Sequence, residues 1–147
     1  MSNPLIVRDK LEQRLERIYD LICQDSWGGW LGFYYEGEDF SIDEHREFFF
    51  MMLKRMLDEQ RIVFTPPVQV WKDAAITGQQ VPVREGCSSE PFDIWGLTTD
   101  KLIQYFREVL PTDFKDINDQ RISHFWYDEK CPQIGWVDLE TGKIFWP

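Results

Sequence analysis

The stretch Ile134-Gly135-Trp136-Val137-Asp138-Leu139-Glu140-Thr141-Gly142-Lys143-Ile144-Phe145-Trp146 alternates large apolar residues on both sides of a Glu140-Thr141-Gly142-Lys143 turn. Alternation of period two around a glycine-bearing turn predicts a β-hairpin, and a slip of one residue would turn its buried face outward. The expected hairpin closes the core around the third helix of the chain, with Trp136 and either Phe145 or Trp146 as structural residues. Just before it, Phe125-Trp126-Tyr127-Asp128-Glu129-Lys130-Cys131-Pro132 adds aromatics and a Cys-Pro step. The hairpin itself carries no group that does chemistry on a substrate.

Helical periodicity occupies much of the remainder. Leu11, Leu15, Ile18 and Ile22 share one face, with Glu12, Arg14, Glu16 and Asp20 largely on others, which predicts an amphipathic helix. It ends near Asp25, because Gly28-Gly29 follow. Ser41-Ile42-Asp43-Glu44 reads as a capping box that opens a second helix running to about Gln60. Its broad apolar face, Phe48, Phe49, Met52, Leu53, Met56 and Leu57, marks it as the most buried helix. Thr98 caps a third helix with Leu102, Phe106, Val109 and Leu110 facing inward, and Pro111 ends it.

Between helices two and three, Ile62-Val63-Phe64-Thr65 has strand composition, and Pro66-Pro67 stops it. A second short extended segment is expected at Val68-Gln69-Val70-Trp71. From Lys72 to Gly96, glycines, prolines and serines interrupt every period, so loops are expected with at most a short strand near Val81-Pro82-Val83. Helices and antiparallel strands without a repeated βαβ unit indicate an α+β fold: three main helices packed on a small antiparallel sheet with a C-terminal β-hairpin. A length of 147 residues fits a single globular domain, 1–147.

Twenty-six acidic against sixteen basic residues give a net charge of −10, which disfavours direct nucleic-acid or anionic-membrane binding and attracts cationic partners. Cys23, Cys87 and Cys131 include no Cys-x-x-Cys pair and are read as reduced thiols. No leader-like segment and no apolar run of membrane-spanning length is found, so a cytoplasmic location is expected.

Candidate chemistry is sparse. His45 and His124 sit in no metal-binding spacing. A Cys131 nucleophile with His124 as its base competes with the simpler reading of Cys131 as a small buried hydrophobe. Glu36 with Glu38, and Asp128 with Glu129, resemble the carboxylate pairs of glycoside hydrolysis, but so acidic a chain produces such pairs by chance. No phosphate loop or dinucleotide fingerprint is present, and no cofactor is expected. Trp27, Trp30, Phe33, Tyr34 and Tyr35 cluster around glycines, as sugar-stacking platforms or protein hot spots do. Glu36, Glu38, Asp39, Asp43, Glu44 and Glu47 form one acidic run opposed only by Arg46; Asp113, Asp116, Asp119 and Asp128-Glu129 form a second.

The order of these parts, with Glu47-Phe48-Phe49-Phe50, the Phe106-Arg107-Glu108-Val109-Leu110-Pro111 helix end and the cassette from Phe125 to Trp146, resembles a small bacterial family of acidic proteins. Some of its members are immunity proteins of contact-dependent growth inhibition and other polymorphic toxin systems. The resemblance covers the chain from about Tyr19 onward. It implies a non-enzymatic protein that binds the C-terminal domain of a cognate toxin, a basic nuclease, and occludes its substrate surface. The partner-binding residues it suggests are Glu36, Glu38, Asp39, Asp43 and Glu47, with Tyr34 and Tyr35 as anchors. The Lys72 to Trp95 segment, longer than the family's connection, is a candidate specificity element. A regulatory interaction module without a toxin partner is the alternative, followed by a carbohydrate-binding or hydrolytic protein.

Overall fold

A computed structural model describes residues 4–29, 40–86, 90–112 and 119–147. The fold is α+β, with five helices and a three-stranded antiparallel sheet among the described residues. In chain order the elements are α1 (Pro4–Ser26), α2 (Ile42–Asp58), β1 (Ile62–Phe64), α3 (Val68–Thr77), α4 (Thr99–Val109), α5 (Gln120–Phe125), β2 (Ile134–Val137) and β3 (Ile144–Phe145).

The central helix is α2, which buries Phe48, Phe49, Phe50, Met52, Leu53, Met56 and Leu57. Its start is the expected capping box: the Glu44 N–H donates to Ser41 Oγ and the Ser41 N–H donates to the Glu44 carboxylate. Lys10 pairs with Glu44 (2.9 Å), Glu16 with Arg55 (3.1 Å) and Tyr19 with Glu59 (3.1 Å), so α1 and α2 run side by side in the same direction. The Arg55 guanidinium lies 3.8 Å from the Tyr19 ring centroid and fixes that pairing from above the ring. Against the other flank α4 runs antiparallel, its Thr98 cap in place, with Phe106 edge-on to Phe49 and Arg46 reaching the Arg107 and Pro111 carbonyls.

The sheet order is β1-β2-β3. Ile62 pairs with Trp136 and Trp136 with Phe145, so the indole sits at the middle of the ladder. Gly142 turns the hairpin at φ +75°, a left-handed conformation that glycine adopts without strain, and Asp138 Oδ1 accepts from the Glu140 and Thr141 N–H groups. The predicted hairpin is therefore present. Its clamp falls elsewhere than expected: Trp136 Nε1 donates to the Gly29 carbonyl and Phe145 stacks on Trp27, so the hairpin closes on the end of α1. Trp136 is buried, whereas Phe145 is half exposed.

Two local expectations fail. Val68-Gln69-Val70-Trp71 is the first turn of α3, not an extended segment. Pro67 at φ −64° already has a helix-compatible torsion, and its carbonyl accepts from the Val70 and Trp71 N–H groups. The loop expected from Lys72 onward accordingly begins only at Gly78, which caps α3 in the left-handed region. Beyond it, Val83 forms an isolated antiparallel bridge with Trp95, whose N–H donates to the Phe64 carbonyl and covers the edge of β1.

Candidate protein-binding surface

Of the residues suggested for partner binding, Tyr34, Tyr35, Glu36, Glu38 and Asp39 lie outside the described residues, as do Asp113 and Asp116. Asp43 is exposed in the first turn of α2, where its charge also favours the positive helix end. Glu47 is engaged within the fold: both its oxygens accept from Arg107 at 2.7 Å, and that fork holds its carboxyl below the usual range. Glu44 is tied to Ser41 and Lys10; burial opposes its ionisation, but these hydrogen bonds still lower its pKa. The acidic run is thus opposed by Lys10 and Arg107 as well as Arg46, cations that only the helix packing brings near.

These carboxylates make stability depend on acid. A carboxyl whose folded pKa lies below its unfolded value, about 4.3 for glutamate, stabilises the fold above that value and loses the contribution as pH falls through the folded pKa. Glu47→Gln is expected to lower Tm at neutral pH and to flatten its decline on acidification. The effect is about 1 kcal/mol or less, because both Glu47 and Arg107 are 44% exposed and screened by water. An unchanged acid limb in thermal melts would remove Glu47 from this role.

Four of the exposed large apolar side chains among the described residues group elsewhere. Val68 (52% exposed), Trp71 (42%), Phe92 (42%) and Tyr127 (85%) all face one concavity of about 500 Å3. Pro66, Pro67 and Pro91 continue its apolar wall, and Asp93, Asp128 and Glu129 add carboxylates. α3 is held beside it by the Gln69 N–H donating to the Glu129 carbonyl (2.9 Å) and by Lys72 on the Glu129 carboxylate (2.7 Å). The opposite connection is fixed by the Thr65 N–H to the Gln133 carbonyl and by the Gln133 N–H to Thr65 Oγ1. Phe92 packs edge-on against Trp146. The groove therefore joins two regions singled out by sequence, the Lys72 to Trp95 segment and Asp128-Glu129. No sequence pattern groups Val68, Trp71, Phe92 and Tyr127: the first two are three residues apart on α3, and only the packed fold sets Phe92 and Tyr127 beside them.

A second concavity, about 650 Å3, separates the end of α1 from the hairpin and is lined by Asp20, Trp27, Arg61 and Glu140 among others. Trp27 here is stacked on Phe145 at 5.6 Å and serves the hairpin contact.

Chemistry at Cys131 is disfavoured. Burial, with Asp128 adding to it, pushes its thiol up to about 12, so the nucleophilic thiolate is scarce at neutral pH. Native Cys131 is expected to alkylate at about pH 8 at least a hundredfold more slowly than an ordinary thiol of pKa about 8.5, and at the ordinary rate in denaturant. Peptide mapping of iodoacetamide adducts would check this, and rapid native labelling would restore the nucleophile reading. Among the described residues, no group of three or more His, Cys, Asp or Glu side chains is placed to hold a metal ion, and no helix is long and apolar enough to cross a membrane.

No protein-family model and no curated protein matches the chain. Among solved structures it is similar to an uncharacterized protein conserved in bacteria, from Neisseria meningitidis, with a TM-score of 0.59 and 21% identity over 95% of this chain and 91% of that one. That likeness is one of fold.

Proposed function

We propose that this chain is an immunity protein, a non-catalytic cytoplasmic inhibitor that binds a cognate toxin domain, a basic nuclease, and occludes its substrate-binding surface. The supporting observation is the groove of Val68, Trp71, Phe92 and Tyr127 with carboxylates at its rim, on a chain of net charge −10. Exposed aromatics grouped in a concavity are what the anchors of protein interfaces look like, and carboxylates around them match a cationic partner. The bacterial family resemblance supplies the finer identification of that partner as a toxin.

Co-expression with the C-terminal domain of a large exported protein encoded immediately upstream is expected to give a stable complex and to abolish its toxicity. Absence of binding, or of protection, would sink this reading. The acidic run is tested separately: charge reversal at Glu36, Glu38 and Asp43 is expected to slow association about tenfold and weaken its salt dependence. Stopped-flow measurement at two ionic strengths reads both, and an unchanged rate places the interface away from these residues.

A further inference from the structure

We infer that the groove beside α3 docks one extended, arginine- and proline-bearing segment of the protein partner, an inference that rests on the partner being a protein. The groove's walls are already tied together by the Gln69, Lys72 and Thr65 contacts, so a ligand meets a shaped surface and little ordering is required on binding. Its rings and prolines offer flat apolar faces, the surface that polyproline-II segments pack against.

Such a segment has no internal hydrogen bonds, and its carbonyls need donors when they leave water. Trp71 and Tyr127 bring an indole N–H and a hydroxyl that make no hydrogen bond among the described residues. Charge selects the sign of the flanking residues. Lys72 neutralises Glu129, while Asp93 and Asp128 remain at the rim without a cation within ion-pair distance among the described residues. An arginine beside the apolar anchor meets these carboxylates, and an acidic segment would be repelled. A neutral glycan would use the rings and donate its hydroxyls to the rim carboxylates, but it brings no cation to neutralise them.

The probe is a short synthetic peptide repeating Arg-Pro-Leu, set against its Glu-Pro-Leu and Arg-Gly-Ser counterparts and a soluble cello-oligosaccharide. The Arg-Pro-Leu peptide is expected to shift the Trp71 indole N–H resonance saturably. By calorimetry, Trp71→Ala is expected to weaken it about thirtyfold, as loss of a hot-spot anchor does, with an unchanged melting curve because the side chain is surface-exposed. Asp93→Asn with Asp128→Asn is expected to weaken it and flatten its salt dependence. Absence of a saturable shift, equal binding of the Glu-Pro-Leu or Arg-Gly-Ser peptide, preference for the glycan, or binding that survives Trp71→Ala each overturns the inference. Toxin protection separates the two readings. Full protection and affinity in Trp71→Ala overturns this docking site and leaves the immunity function intact; Trp71-dependent peptide binding without protection supports the site and removes that function.

Discussion

Trp136→Ala is expected to lower folding stability by about 3–5 kcal/mol, the range for emptying a fully buried large aromatic site. Trp136 is 1% exposed, lies in the middle strand opposite Ile62 and Phe145, and stands 6.5 Å from the Trp27 ring. Three losses combine. The cavity strips contacts from β1 and β3 at once, the Gly29 carbonyl loses its indole donor, and the hairpin loses its hold on the end of α1. Trp136→Phe separates these terms: it keeps most of the volume and removes the hydrogen bond, so it is expected to recover more than half of the loss. Urea denaturation measures both variants. A Trp136→Ala effect below about 1 kcal/mol would mean that the site collapses freely and that Trp136 is not the centre of the clamp.

Gly135→Val carries the second large effect, about 3 kcal/mol or failure to fold. A Cβ at position 135 would lie 2.7 Å from Ile144 Cγ2 and 2.8 Å from Trp146 Cζ3. Neither neighbour yields easily. Ile144 is β-branched in the paired strand, and the Trp146 ring is held by Glu90 on its indole N–H (3.1 Å) and by Phe92 against its face. Overpacking of this kind costs about 1–3 kcal/mol in general, and the two extra methyls of valine add to the clash. Gly135→Ala, with only the Cβ to fit, is expected to cost less. Because Trp146 carries Phe92, displacing it also disturbs one wall of the groove; Gly135→Ala is therefore expected to weaken Arg-Pro-Leu peptide binding as well as stability. Full stability in Gly135→Val would show that the hairpin has room to shift as a unit.

The elements legible in the sequence share one property: their signals are local. Ser41 and Glu44 find each other three residues apart, Leu102 and Phe106 share a face by helical spacing, and Gly142 turns the hairpin between its own strands. The local signals of α3 conflict, and the extended expectation fails there. Val-Gln-Val-Trp has strand composition, while Pro67 and Gly78 are the start and stop of a helix. The helix prevails with Glu129, far along the chain, accepting the Gln69 N–H and pairing with Lys72.

Sequence by itself determined the α+β class, the buried face of α2, the hairpin and the acidic balance, because periodicity, capping and net charge are properties of neighbouring residues or of sums. Tertiary structure alone decided that Arg107 and Lys10 engage Glu47 and Glu44, that the hairpin clamps α1, and that Trp71, Phe92 and Tyr127 meet in one groove. Those outcomes join residues up to 107 positions apart, as between Gly29 and Trp136, and no local pattern records which distant surfaces the packed core brings together.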